Sequence, residues 1–121
     1  MKYLEKGEEL LSRIADEFTL LSSQVKGINL YSNEVGVLVG EILFELLYSK
    51  KEKKLKLILT DIREFSFFYT SDYDFYNIER YKLMKIDNGY YISLDPFDES
   101  EEISADDQDF IKCQNIEGYV S

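Results

Sequence analysis

Acidic and aromatic side chains are interleaved between Asp72 and Glu79, a pattern suited to recognition chemistry. A tyrosine ring gives a large rigid contact with one hydrogen-bonding hydroxyl, and neighbouring carboxylates attract a basic ligand. We therefore predict a partner-binding surface here, with a second patch in the acidic segment that follows Asp95. The predicted contact residues are Asp72, Tyr73, Asp74, Tyr76, Glu79, Asp98, Asp106 and Asp107. The rings just before them, Phe65, Phe67 and Phe68, are expected in the core.

The same residues could be interpreted as a glycosidase site, because glycoside hydrolysis needs two carboxylates across a cleft. However, a chain with 24 Asp and Glu and 10 Tyr residues brings carboxylates and tyrosines together by chance. No histidine is present, which excludes Ser-His and Cys-His nucleophilic pairs, and Cys113 lies in an apolar segment without a base. We predict no catalytic residues and a protein that is not an enzyme.

Metal and cofactor chemistry has little support in the composition. One cysteine and no histidine exclude a zinc site. Residues 95–109 contain eight carboxylates and no basic residue, but they lack the spacing of an EF-hand loop, so divalent-cation binding there stays an open, weaker alternative. Acidic helix starts explain these carboxylates better, and we expect short helices to begin at Asp95 and at Ser104. No glycine-rich phosphate loop is present, and we predict no cofactor.

The net charge restricts the class of partner. The chain has 14 Lys and Arg against 24 Asp and Glu, a formal charge of −10 that repels nucleic acid and anionic lipid. The longest uncharged apolar stretch, residues 35–40, is far shorter than the ~20 residues of a membrane span. The N-terminus carries charges where a signal peptide needs an apolar run. We expect a cytoplasmic protein with a basic protein partner.

Apolar periodicity predicts the elements that position these residues. Residues 3–21 repeat apolar side chains at helical intervals, whereas the chain from Val25 onward has the alternation of strands. We predict one domain over residues 1–121 with an α+β fold. In it, the N-terminal amphipathic helix packs on a mainly antiparallel sheet of about five or six strands.

The apolar run from Val35 to Tyr48 fits either a strand or a buried helix. Gly36 and Gly40 would weaken a helix by roughly 1 kcal/mol each, and the valines are β-branched. We favour a strand and leave the helix open.

Residues 54–69 alternate as a strand. Leu55, Leu57, Leu59 and Asp61 share one side, and a register change is possible near Glu64.

A hairpin is predicted around Asn88-Gly89, a pair that suits a type I′ turn. A turn there sets Ile86 opposite Tyr91 and Lys82 opposite Asp95, which predicts a cross-strand ion pair.

The order of these elements, with the segments 57–65, 90–96 and 106–109, resembles small bacterial proteins, some of which are grouped with the immunity proteins of polymorphic toxin systems. The resemblance implies a stoichiometric inhibitor that binds a cognate toxin, often a basic nuclease, in the cytoplasm. It carries no catalytic signature and transfers no functional residue.

The leading hypothesis is therefore a non-catalytic protein-binding protein. Two alternatives stay open: a small-ligand or carbohydrate-binding module, and self-association through an exposed strand edge. A concave pocket lined by Tyr73, Tyr76 and paired carboxylates would favour a small ligand, whereas a flat acidic surface would favour a protein.

Overall fold

The structure, a computed structural model, describes residues 1–72 and 75–121, so the predicted contacts Tyr73 and Asp74 lie outside it. In the described ranges, a seven-stranded sheet carries one short helix. The elements are β1 (Lys2–Lys6), α1 (Gly7–Asp16), β2 (Gln24–Ser32), β3 (Leu38–Glu45), β4 (Lys54–Ser66), β5 (Lys82–Ile86), β6 (Gly89–Asp95) and β7 (Gln108–Val120). The α+β class is correct in coarse form, but the sheet has seven strands rather than five or six.

Every pairing in the sheet is antiparallel, as predicted, and the strand order is β2-β3-β4-β7-β6-β5. One edge of β7 serves two strands in succession: β6 pairs with residues 108–113 and β1 with residues 117–120. At the far side, β2 begins beside the chain that leads into β5, where Val25 N donates to Tyr76 O over 3.0 Å. This contact fixes the segment after residue 75 against the sheet.

The predicted helix over residues 3–21 is wrong at both ends. Residues 2–6 pair with β7, where they satisfy backbone groups that β6 leaves open, and this pairing outweighs the local helical periodicity. Gly7, with φ of 62°, then turns the chain into the helix. The helix buries Leu10 and Ile14, and Leu10 lies over Gly118, where an added Cβ would come within 2.7 Å of its Cδ1.

The ambiguous run contains the strand β3, so the favoured interpretation is confirmed. Gly40, which argued against a helix, has a packing role in the sheet. A Cβ at this position would lie 2.9 Å from Ile62 Cδ1 and 3.1 Å from a Leu30 methyl group.

Every second residue is buried along β7 and along the first half of β4, and in both strands this alternation is interrupted at the same level. The next buried residue after Leu59 in β4 is Ile62, and the next after Cys113 in β7 is Ile116. Asp61, with φ of 61°, therefore leaves the buried row in which the alternation predicted it. The predicted register change is confirmed by a bulge just after Ile62. Because both strands shift together, one face of the sheet stays buried.

The hairpin of β5 and β6 exists, but its register differs from the prediction by two residues. Ile86 pairs with Gly89, so the turn is Asp87-Asn88, and neither residue has the positive φ of a type I′ turn. Lys82 pairs with Ser93, and the predicted ion pair with Asp95 is wrong.

Close packing explains why the glycine belongs to the strand. A Cβ on Gly89 would lie 2.0 Å from the carbonyl oxygen of Cys113 on β7. Only glycine lets β6 approach β7 at this level, so the turn is displaced by one residue toward the N-terminus.

Residues 96–107 form turns and bends, and the helices expected at Asp95 and Ser104 do not form. Instead the amide of Asp107 donates to Ser104 O over 3.1 Å in a single turn. This turn directs the carboxylate of Asp107 inward.

The core packs the helix against the buried face of the sheet. Its largest fully buried side chains come from most elements: Leu10, Ile14, Leu20, Ile42, Phe44, Leu55, Leu57, Leu59, Ile78, Tyr91, Ile92 and Ile111. In the part of the chain that the structure describes, no helix has the length and hydrophobicity to cross a bilayer.

Candidate functional site

A groove with a volume of about 800 Å³ opens where β4 and β6 end and β7 begins. We call it the acidic groove. Its lining combines aromatic and charged side chains with a few neutral ones: Ser66, Phe68, Tyr69, Tyr76, Asn77, Glu79, Arg80, Leu94, Asp95, Asp107, Gln108 and Asp109. Three of the predicted contacts, Tyr76, Glu79 and Asp107, line it.

One wall of the acidic groove is aromatic and open to solvent. Phe68 is 68% exposed and Tyr69 is 56% exposed. Tyr69 packs edge-on against Phe75 at 5.9 Å between centroids, and Phe75 packs against Tyr76 at 6.1 Å. The expectation that Phe65 and Phe68 are core residues is wrong, because both are exposed; Phe67 alone packs partly against the core. Clustered exposed rings are typical of recognition surfaces.

Tyr76 anchors this wall to β7. Its hydroxyl donates to Asp109 Oδ2 over 2.7 Å, and Asp109 Oδ1 accepts the amide of Phe68 over 3.0 Å. Burial and the hydrogen bond to Asp109 raise the pKa of the Tyr76 hydroxyl well above its ordinary value. Tyr76 therefore offers its ring, but not a free hydroxyl proton, to a ligand.

Within the described residues, three of the four carboxylates that line the acidic groove lack a cationic partner, whereas the fourth, Asp107, pairs with Lys82. Among the ion pairs of the described residues, none includes Asp95, Glu79 or Asp109. Partial burial, and then the charge of Asp109, raise the pKa of the Asp95 carboxyl. Arg80 is the one basic residue of the lining, and its charge opposes this rise only in part. Such like-charge repulsion is relieved when a cation binds.

Asp107 lies at the floor of the acidic groove, and its predicted role as a partner contact is wrong. It is 5% exposed, and its carboxylate accepts hydrogen bonds from four residues. The donors are Lys82 Nζ at 3.0 Å, the Tyr91 hydroxyl at 2.8 Å, the Phe97 amide at 2.9 Å and the Ser104 amide at 3.0 Å. A carboxylate with its acceptor sites filled inside the protein cannot contact a partner.

Lys82 completes this buried network. It is 4% exposed, and its ammonium also binds Asp98 Oδ1 at 2.9 Å and Glu102 O at 2.7 Å. Burial acts to lower the pKa of Lys82, but the bonds to Asp98 and Asp107 outweigh it and raise the pKa. The network joins β5, β6 and the acidic segment, and its role is structural.

Acid should weaken the fold through Asp107. Burial acts to raise the pKa of this carboxyl, but the amides of Ser104 and Phe97, with Tyr91 and Lys82, lower it to about 2 from an ordinary 3.8. Because the folded-state pKa is depressed, the stabilisation is present above pH 3.8 and is lost as the pH falls through about 2. We expect the free energy of unfolding, measured by urea denaturation, to fall across this window. The Asp106→Asn variant should keep the same slope, and the Asp107→Asn variant should lose part of it; equal slopes in both variants would contradict this assignment.

The other predicted contacts that the structure describes, Asp72, Asp98 and Asp106, do not line the acidic groove. Asp72 and Asp106 are exposed, and Asp98 is half-exposed while bound to Lys82. Of the acidic groove residues that sequence reasoning missed, Asp95 and Asp109 are brought together by the pairing of Asp95 with Gln108 across β6 and β7. To predict these two residues from the sequence, the correct register of the hairpin and the pairing of β6 with β7 would have had to be known.

Among residues 1–72 and 75–121, no group of three Asp, Glu or Cys side chains is arranged to hold a metal ion. Comparison with known proteins returned no match to any family model, curated protein or solved structure.

Proposed function

We propose that this chain is a non-catalytic protein-binding protein whose acidic groove engages a basic partner. In its fullest form the role is that of a cytoplasmic immunity protein, which neutralises a basic toxin by stoichiometric binding. The observation that carries the proposal is the acidic groove itself, where exposed rings stand beside Glu79 and Asp95, two exposed carboxylates that form no ion pair in the described part of the chain.

The aromatic wall supplies binding energy for such a partner. Phe68, Tyr69 and Phe75 are each more than half exposed. Large rings of this kind dominate interface energetics when a partner covers them, because their burial removes much apolar area from water.

The carboxylates supply orientation and association rate. With a formal charge of −10, the whole chain attracts a basic protein at long range, and Glu79 and Asp95 concentrate that field in a concave site. A basic nuclease toxin, whose own active site must attract phosphates, carries the complementary charge.

The test is a pair of matched double variants of the full chain. Glu79→Gln with Asp95→Asn removes two charges inside the acidic groove, and Glu99→Gln with Glu101→Gln removes two exposed charges outside it. Affinities are measured by calorimetry against a panel of purified basic toxin domains. We expect at least one domain to bind the wild type, the groove variant to bind it at least about tenfold more weakly, and the outside variant to stay within about twofold.

Loss of binding in the groove variant should not reflect unfolding. The raised pKa of Asp95 means that its charged form opposes folding, so Asp95→Asn should leave the thermal midpoint at pH 7 unchanged or higher. Equal weakening by both double variants would show general charge attraction and exclude the acidic groove as the interface. Absence of binding across the whole panel would contradict the proposal.

One observation favours a second candidate, a small-ligand or carbohydrate-binding module. The site is concave, and its volume of about 800 Å³ lies in the range of small-molecule pockets. A neutral sugar would stack on Phe68 and Tyr69, so its binding would fall in the Phe68→Ala variant and would not change with salt. Binding of a basic protein should weaken both with Phe68→Ala and with added salt.

A further inference from the structure

We infer that the acidic groove receives an arginine side chain from an extended segment of the basic partner. This inference rests on the proposed function and names the group that the site recognises. It follows from the size of the acidic groove, the exposed acceptors in its lining, the rings on its wall and the position of its own cation.

The size of the acidic groove selects what can enter. A volume of about 800 Å³ accommodates one or two long side chains with part of a backbone, but not a folded surface. The occupant must therefore project from its own protein, as a residue of a loop or an extended segment does.

The acceptors favour a group with several donors in one plane. Asp109 is 7% exposed and each of its oxygens already accepts a donor inside the protein, so the open acceptors of the acidic groove are the exposed carboxylates of Asp95 and Glu79. The ion pairs of the described residues leave Asp95 and Glu79 without a cation. A guanidinium has five donors in a rigid fork and can bind two of these carboxylates at once.

The rings distinguish arginine from lysine. Four rings elsewhere in the described chain carry a cation of the protein itself within 5.9 Å of the centroid: Arg13 over Phe18, Lys56 over Tyr119, Lys85 over Tyr90 and Lys112 over Phe110. Among the described residues, no such contact involves Phe68, Tyr69 or Phe75. A planar, weakly hydrated guanidinium stacks on such faces better than a strongly hydrated ammonium.

The charge of Arg80 allows a cationic ligand to be distinguished from an anionic one. Its Nη2 donates to Phe97 O over 3.3 Å, and its charge reaches Asp95. An incoming arginine must tolerate this like charge, so Arg80→Gln should strengthen its binding. An anionic ligand would lose its one attractive charge in the same variant.

The experiment measures fluorescence anisotropy of three labelled peptides with the full chain. The peptides share a Gly-Ser backbone and carry three arginines, three lysines or three citrullines, the last being a neutral isostere of arginine. We expect the arginine peptide to bind at least about fivefold more tightly than the lysine peptide, and the citrulline peptide not to bind. Arg80→Gln should tighten binding of the arginine peptide by at least about twofold, Asp95→Asn should weaken it by at least about tenfold, and Phe68→Ala should reduce the preference for arginine over lysine.

Equal affinity for the arginine and lysine peptides would overturn the inference, as would weaker binding in Arg80→Gln or no effect of Asp95→Asn. Absence of binding by all three peptides would overturn it as well. If toxin-domain binding still depends on Glu79 and Asp95 in any of these cases, the proposed function stands and only the choice of arginine is wrong.

Discussion

The Asp107→Ala variant is expected to lose about 3–5 kcal/mol of unfolding free energy, the range measured when one partner of a buried ion pair is removed. The substitution leaves the ammonium of Lys82, which is 4% exposed, with only Asp98 and a carbonyl oxygen. It also removes the acceptor of the Tyr91 hydroxyl and of two backbone amides. Since a typical domain has about 5–15 kcal/mol in total, the variant should lose a large part of its stability at 25 °C.

Its matched control is the preceding residue. Asp106 has the same side chain and is exposed, so Asp106→Ala should change the unfolding free energy by no more than about 0.5 kcal/mol. Both changes in unfolding free energy are to be measured by urea denaturation followed by circular dichroism at pH 7. A loss below about 1 kcal/mol in Asp107→Ala would mean that the network is not formed as described.

The second large effect is expected from Gly89→Ala, which should lower the free energy of unfolding by about 3 kcal/mol or more. The new Cβ would lie 2.0 Å from the Cys113 carbonyl oxygen and 2.9 Å from its carbon, and both are backbone atoms of the central strand β7. A flexible side chain could move aside, but this backbone cannot move without breaking the pairing of β6 with β7.

Gly27→Ala is the control for this variant, because no atom lies within 4 Å of the Cβ it would add. Its unfolding free energy should stay within about 1 kcal/mol of the wild type or rise slightly. If the two alanine variants are equally stable, β6 does not approach β7 as closely as the structure has it.

Local patterns predicted the elements whose signal lies in their own residues. The strand β3 followed from valines and glycines, and the hairpin of β5 and β6 from Asn88-Gly89. The register of that hairpin did not follow, because it depends on the Cys113 carbonyl, which lies on a different strand. The strand β1 was missed for the same reason: its partner, residues 117–120, lies at the other end of the chain.

The residues of the candidate site also differ in how far the local sequence predicts their placement. Tyr76 and Glu79 could be found from the mixture of rings and carboxylates around them, and both line the acidic groove. Asp107 has the same local character, yet it is buried by Lys82, which lies 25 residues earlier in the chain. No pattern near Asp107 distinguishes a buried carboxylate from a solvated one.

The central claim is that a basic partner covers the acidic groove. Hydrogen–deuterium exchange of the full chain, with and without a bound basic toxin domain, tests it most directly, because backbone amides report contact without any substitution. We predict that protection on binding is concentrated in the amides of residues 66–69 and 76–80 and in the turn after Asp95. Protection confined to the other end of β7, around Tyr3 and Tyr119, with the acidic groove unchanged, would contradict it.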